Sequence, residues 1–243
     1  MRLLYVADLH YSLKQFDWLL SRAADFDMVA VGGDLLDLSS PLDPDVQIAV
    51  VEKYFHLLRA KSHLLVSSGN HDGDSRNEAQ ESIAQWLQES QEDGITVDHG
   101  SFIAGNTRIS VCPWWDGDVT RAQVEDWLTA EASQRPASWI WIYHAPPDGS
   151  KTCWTGKKSA GDEFLRTLIE RHAPNAVLCG HIHNSPFYPE GSWVDRIATT
   201  WVFNPGRQIG PEPSHIVLDL SAMTAEWTSY EGSEIQLLGT GDR

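Results

Sequence analysis

The sequence predicts an α/β fold in which two β-sheets pack together with helices outside, in a single domain covering residues 1–243. Three observations predict it. Short apolar runs alternate with helix-like segments through the first half, the pattern of a mostly parallel sheet. The middle of the chain changes to short strands separated by glycine-containing turns. Hydrophobic residues make up 42% of the 243, enough for a sizeable core.

The elements follow in order. Leu3 to Ala7 reads as a buried strand, its apolar run too short for a signal-peptide core and ended by Asp8. Leu13 to Ala24 reads as a helix, Met28 to Val31 as a strand, and Asp45 to Ala60 as a helix with apolar residues at helical spacing. His63 to Val66 is a third strand and Asn77 to Gln91 a third helix. Ile95 to Val97, Ser101 to Ala104 and Arg108 to Cys112 read as short strands. Val119 to Glu131 returns to helix, Trp139 to Tyr143 to strand, Gly161 to Arg171 to helix and Ala176 to Leu178 to strand. Trp193 to Thr199, His215 to Leu220 and Ala225 to Tyr230 are further strands, expected to be antiparallel, and Gly239 to Arg243 reads as a frayed end.

Composition excludes some functions. The formal charge is −16, from 18 basic against 34 acidic residues. Nucleic-acid affinity rests largely on Lys and Arg, so a nucleic-acid partner is disfavoured. No apolar stretch reaches the roughly 18 residues of a membrane span. Cys112, Cys153 and Cys179 form no C-x-x-C pair, which argues against a disulfide framework or zinc ribbon and for a reduced, cytoplasmic setting. The sequence carries no signal for an oligomeric state.

Five patches carry the chemistry: Asp8-Leu9-His10, Gly33-Asp34-Leu35-Leu36-Asp37, Gly69-Asn70-His71-Asp72, Tyr143-His144-Ala145-Pro146 and Gly180-His181-Ile182-His183. Each follows a predicted buried strand directly or within two residues, and ligands of open α/β sheets bind outside the carboxyl ends of the strands. Asp8 with His10, and His181 with His183, are spaced to point to one side. The Asp34 carboxylate can bridge two cations, Asn70 offers an amide oxygen, and His144 another imidazole. A mixed nitrogen–oxygen set without thiolate suits Mn, Fe or Zn better than Ca. Two divalent cations against two carboxylates leave a positive cluster, as an anionic phosphate ester requires. Metals about 3.5–4 Å apart can clamp the attacking and leaving oxygens, and metal-bound water with a pKa of about 7 supplies hydroxide.

The ordered set resembles the calcineurin-like metallophosphoesterase family, whose pattern runs D-x-H, G-D-x-x-D, G-N-H-D or G-N-H-E, H, and G-H-x-H. All five parts occur in order from Asp8 to His183, framing about three quarters of the chain. The resemblance implies a four-layer αββα sandwich of two mixed β-sheets flanked by helices, with a dimetal site at the carboxyl ends of the strands. It implies Asp8, His10, Asp34 and His183 as ligands of one metal, and Asp34, Asn70, His144 and His181 as ligands of the other. It implies His71 as the acid, oriented by a hydrogen bond to Asp72, and Asp37 as a structural residue. Asn204-Pro205-Gly206 matches a family turn, which would bring Arg207 towards the site. The implied activity is hydrolysis of small-molecule phosphodiesters or phosphomonoesters. A nuclease-type phosphodiesterase and a metal-binding, non-catalytic scaffold are the alternatives.

Taken singly, each residue has an ordinary explanation: an Asp or Asn after a strand forms turns or caps helices, and a lone His is hydrogen-bonded packing. The ordered co-occurrence outweighs that explanation, least so for Asp37 and Asp72. Trp114, Trp115 and Trp154 lie in loops next to the patches and suggest an aromatic wall for a flat group, against the plainer reading of loop packing. Thr155-Gly156-Lys157-Lys158-Ser159 lacks the leading glycine of a phosphate loop, since position 151 is Lys. Lys151, Lys157 and Lys158 are expected on the solvated surface.

Overall fold

A computed structural model describes residues 1–134 and 137–239; of the end read as frayed, residues 240–243 lie outside the described residues. The first strands and helices, β1 (Arg2–Val6), α1 (Leu13–Arg22), β2 (Met28–Gly32), α2 (Pro44–Arg59) and β3 (His63–Ser67), follow the expected alternation. A small hairpin of β4 (Ser75–Arg76) and β5 (Ser82–Ile83) and a short α3 (Gln85–Glu89) lead to β6 (Ile95–Thr96). Next come β7 (Ser101–Ala104), β8 (Thr107–Val111), α4 (Asp118–Ala132), β9 (Ser138–Ile142), α5 (Glu163–His172) and β10 (Ala176–Leu178). The chain continues through β11 (Val194–Ile197), β12 (Thr200–Phe203), β13 (His215–Asp219), β14 (Thr224–Ser229) and β15 (Gly232–Leu237).

Two mixed sheets result. The first runs β15-β14-β13-β1-β2-β3-β6 and the second β11-β12-β10-β9-β8-β7. Strands β1, β2, β3 and β6 are parallel, as are β8, β9, β10 and β12, while the remaining strands join antiparallel at the margins. Side-chain alternation then dictates the layering. Leu3 and Tyr5 of β1 face the second sheet and pack with Ile109, Ile140, Leu178 and Phe203. Leu4 and Val6 face outward onto Phe16 and Leu19 of α1 and Phe55 of α2. Trp139 and Trp141 do the same on the second sheet, against Val124 and Leu128 of α4 and Leu165 and Leu168 of α5. Leu3, Leu4, Tyr5 and Val6 are all fully buried, so β1 has no polar face, as expected for a central parallel strand. Each such aliphatic side chain contributes about 1.5–3 kcal/mol. The αββα order is therefore the one expected.

Three local features differ from the expected pattern. The helix expected over Asn77 to Gln91 survives only as α3, and its first half is the β4–β5 hairpin. There the Asn77 side-chain oxygen accepts the Glu81 N–H at 2.9 Å and Gln80 takes φ 64°, a local competitor to helix. The Glu81 carboxylate in turn caps the start of α4, accepting from Val119 and Thr120 N–H at 2.8 and 2.7 Å. The strand expected over Trp193 to Thr199 forms as β11, antiparallel as expected, but turns at Ala198, φ 50°, into β12, which was not anticipated. Strand β15 was not anticipated: it is an edge strand whose residues are mostly exposed, so no burial pattern marks it.

Candidate metal centre

Each patch begins where a strand stops. Asp8 and His10 follow β1, Asp34 follows β2, Asn70 and His71 follow β3, His144 follows β9, and His181 and His183 follow β10. Beyond the strand ends the backbone stays tethered: Asp8 N–H donates to Gly33 O at 3.0 Å and His10 N–H to Asp34 O at 2.9 Å. Asp8, His10, Asp34 and His181 adopt φ of 57°, 42°, 54° and 63°, the left-handed region that L-residues avoid. Such conformations cost on the order of 1 kcal/mol each and persist where surrounding contacts over-determine them. Gly33, Gly69 and Gly180 are needed alongside, because a Cβ at any of them would collide with Asp34, His144 or Asp8.

The strand ends bring six of the seven expected ligands into two adjoining groups. Asp8, His10, Asp34 and His183 place their ligating atoms within 4.8 Å of one another, and Asp34, His144 and His181 do likewise. Asp34 belongs to both. Its Oδ2 lies 3.7 Å from His10 Nε2, 3.3 Å from His144 Nε2 and 4.0 Å from His71 Nε2. His183 Nε2 is 3.3 Å from Asp8 Oδ1 and 3.2 Å from His10 Nε2. Asn70 is exposed on the same loop as His71.

The environment suits cations. His144 Nδ1 donates to Gly32 O at 2.6 Å, which leaves Nε2 as the lone-pair nitrogen. That Nε2 is buried without a hydrogen-bond partner among the described residues, the mark of an atom meant for something else. Burial disfavours a charged His144, yet the Asp34 and Asp8 carboxylates outweigh it and push the imidazole up to about 10. Burial likewise opposes ionised Asp34, but His144 and then His71 hold it well below the usual carboxylate range. Both shifts express one demand, for positive charge between these side chains, which a divalent cation meets in place of a proton. Burial pushes His10 and His181 down to about 4, so both are neutral imidazoles at pH 7, the ligating form. The donor set therefore fits a pair of divalent cations.

Asp72 does something other than expected. Its carboxylate does not reach His71, whose Nδ1 has no hydrogen-bond partner among the described residues. Oδ1 accepts from Leu35 and Leu36 N–H at 2.8 and 3.0 Å, and Oδ2 from Gly69 N–H at 2.8 Å. Three backbone donors occupy the carboxylate, which thus ties the loop after β2 to the loop after β3. His71 is half-buried and sits edge-on to His10, ring centroids 4.6 Å apart. Asp37 closes its own turn, accepting from Ser39 N–H and Oγ–H at 2.9 and 2.6 Å.

On the other sheet Asn204 holds the loops. It is fully buried, donates to Gly180 O and Ile182 O at 3.1 and 3.0 Å and to Thr152 O at 3.0 Å, and accepts from Gly206 N–H at 2.8 Å. Sequence reasoning named it only as part of a turn; the missed signal was an Asn directly after a buried apolar strand. Arg207 does reach the site, its Nε–H donating to Asp8 O at 3.0 Å. Trp114 and Trp115 approach the groups, Trp114 lying 5.6 Å from the His181 ring, whereas Trp154 turns its indole nitrogen into the interior. Lys151, Lys157 and Lys158 are exposed, and Cys112, Cys153 and Cys179 are buried and unpaired.

Known proteins bear on this geometry. The family described as calcineurin-like phosphoesterase matches residues 1–185. Among solved structures, TT1561 of Thermus thermophilus superposes with a TM-score of 0.61 at 14% identity, covering 98% of this chain and 99% of that one. A dimetal phosphatase from Danio rerio gives 0.60 at 11% identity, over 98% and 99%. The purple acid phosphatase PPD1 from yellow lupin seeds gives 0.58 at 13% identity, over 100% of this chain and 52% of that one. At these identities the likeness is one of fold. A comparison with curated proteins gives no match.

Proposed function

This chain belongs to the calcineurin-like phosphoesterase family, and we propose that it is a dimetal-dependent hydrolase of small-molecule phosphodiesters or phosphomonoesters. One observation carries the reading: Asp34 is common to two groups of ligating atoms, and the buried His144 Nε2, 3.3 Å from its Oδ2, has no hydrogen-bond partner among the described residues. On this reading Asp8, His10, Asp34 and His183 hold one cation, and Asp34, Asn70, His144 and His181 the other. Mn, Fe or Zn suits the donors. When bound, such a pair polarises the phosphoryl group and supplies a nucleophile at neutral pH.

The chain's own residues do the rest. Asp72 and Asn204 fix the loops so that the ligands are organised before substrate arrives. His71, half-buried beside His10, hands a proton from its ring to the departing ester oxygen. Arg207 reaches over Asp8 and adds positive charge on the side of the first group. No helix among the described residues is long and apolar enough to cross a membrane.

The test is metal analysis of the purified chain, together with hydrolysis of generic aryl phosphate monoesters and diesters in the presence of Mn, Fe, Zn or Mg. Bound metal with turnover of at least one ester is expected. A metal-replete protein inert on every ester would instead support a scaffold.

A further inference from the structure

A cavity of about 460 Å³ opens beside His181, between the loop that follows β8 and the start of α5. Its volume falls within the roughly 300–1,000 Å³ of small-molecule sites. Its walls are aromatic: Trp114, Trp115 and Phe164, with Arg121 at the side. Trp114 links the cavity to the metal centre, its ring 5.6 Å from His181 and 5.7 Å from His144. The Trp114 and Trp115 planes differ by only 10°, and Phe164 meets Trp115 edge-on at 5.8 Å.

These rings are half-exposed, yet held in place. Trp115 Nε1–H donates to Tyr143 Oη at 2.7 Å and to Asp162 Oδ2 at 3.1 Å. Asp162 also accepts from Tyr143 Oη–H and, through Oδ1, from Phe164 N–H at 2.7 and 2.8 Å, so one carboxylate fixes both Trp115 and the start of α5. The Trp114 backbone N–H donates to Ser68 Oγ at 2.8 Å, which ties the backbone that carries the other ring to the loop after β3. The Arg121 guanidinium lies over two of these rings, 5.7 Å from the Trp115 centroid and 5.9 Å from that of Phe164, and the part of the half-exposed π faces beside it is a preorganised surface for another flat ring. The rim adds a second selection. Asp116 and Glu163 are exposed there, and Arg121 is already paired with Asp118 at 2.8 Å. Further phosphate charge on the incoming group is therefore repelled.

Resting on the hydrolase reading above, we infer that this cavity receives a planar aromatic substituent of the phosphate ester, uncharged and of nucleobase or aryl type, and so selects esters that carry one. The ring stacks on Trp114 and Trp115 while the phosphate lies at the metal centre next to His181.

The test separates this inference from the metal reading. With the full chain loaded with Mn, the dissociation constants of adenosine 5′-monophosphate and phenyl phosphate are compared with that of ribose 5-phosphate. The aromatic ligands are expected to bind roughly tenfold tighter or more, in line with base–aromatic stacking. Trp114→Leu should bring the ratio towards one. Phe164→Leu, further from the ligating histidines, should reduce it and serves if the first variant fails to fold. In the metal-free protein, saturation-transfer NMR with adenosine should show contact at the base protons that is weakened in both variants. Equal affinity for all three phosphates, or ratios unmoved by a folded variant, overturns the cavity's role while leaving the metal reading intact. Adenosine contact in a chain that binds no phosphate even with Mn supports the cavity and removes the metal reading.

Discussion

On the first-sheet side of the site, one buried carboxylate gathers the loops: Asp72 accepts three backbone N–H groups from Leu35, Leu36 and Gly69. On the second-sheet side, one buried amide does so: Asn204 donates to the carbonyls of Thr152, Gly180 and Ile182 and accepts from Gly206 N–H. The two braces have opposite polarity because the loops present opposite backbone groups. Left-handed Asp34 and the turn at Gly69 aim N–H groups inward, so an acceptor is required. The loop after β10 aims carbonyls inward, so a donor is required. The difference has an electrostatic cost on one side only. Asp72 is pushed up by burial and by the Asp34 charge, whereas neutral Asn204 adds no charge beside the ligands. The first-sheet half thus depends on positive charge at the centre in a way that the second half does not.

The comparison breaks first at the residue the halves share. Asp34→Ala is expected to lower metal content and to cut ester hydrolysis by about a thousandfold or more, about 4 kcal/mol in the barrier. Full metal content in that variant, by elemental analysis, would remove Asp34 from its shared role. His71→Ala keeps every group ligand and should retain the metals while turnover falls by about 10²–10⁴-fold. Unchanged kcat would exclude His71 as the acid.

Swapping the polarity of each brace sharpens the comparison. Asn204→Asp sets a buried carboxylate against three carbonyls and is expected to cost about 3–5 kcal/mol in denaturant unfolding. Asp72→Asn keeps an acceptor but turns an NH₂ towards a backbone donor, for about 1–3 kcal/mol. The reverse order of unfolding midpoints would contradict the polarity argument.

A pH-dependent effect lies at Asp98, which accepts from Ser68 N–H and Oγ–H at 2.9 and 2.6 Å behind the loop after β3. Burial pushes it up to about 7. The folded protein therefore keeps a proton that the unfolded chain releases near pH 4. The associated stability is full below about pH 4 and lost as pH rises through about 7. Between pH 5 and 8 this amounts to roughly 2–3 kcal/mol, and Asp98→Asn should flatten it in urea titrations at the two pH values.

Much of this was legible in the sequence. The apolar runs over Leu3–Val6, Met28–Val31 and Trp139–Ile142 are buried on both faces and could be little else than central strands. Asp8, His10, Asp34, His144, His181 and His183 stand directly beyond such strands, so their convergence followed from the fold class. The hairpin at Ser75–Ile83 was hidden because Asn77 and Glu81 are ordinary helix-surface residues until their side chains find the Glu81 N–H and the start of α4. Phe164 and Arg121 were hidden for a similar reason: each sits at the end of a helix whose packing alone decides what its exposed end faces.

By itself, the sequence determined the central strands, the residue types at their carboxyl ends and the chemistry those types permit, because alternation and strand-end position are local properties of the chain. Tertiary structure alone decided that Asp72 braces Leu35 and Leu36 and not His71, that Asn204 anchors Gly180 and Ile182, and that Phe164 rather than Trp154 completes the aromatic wall. A buried polar atom must bond to whatever the fold places within reach, and for these residues the partner lies on another strand or loop, often tens of positions away in the chain.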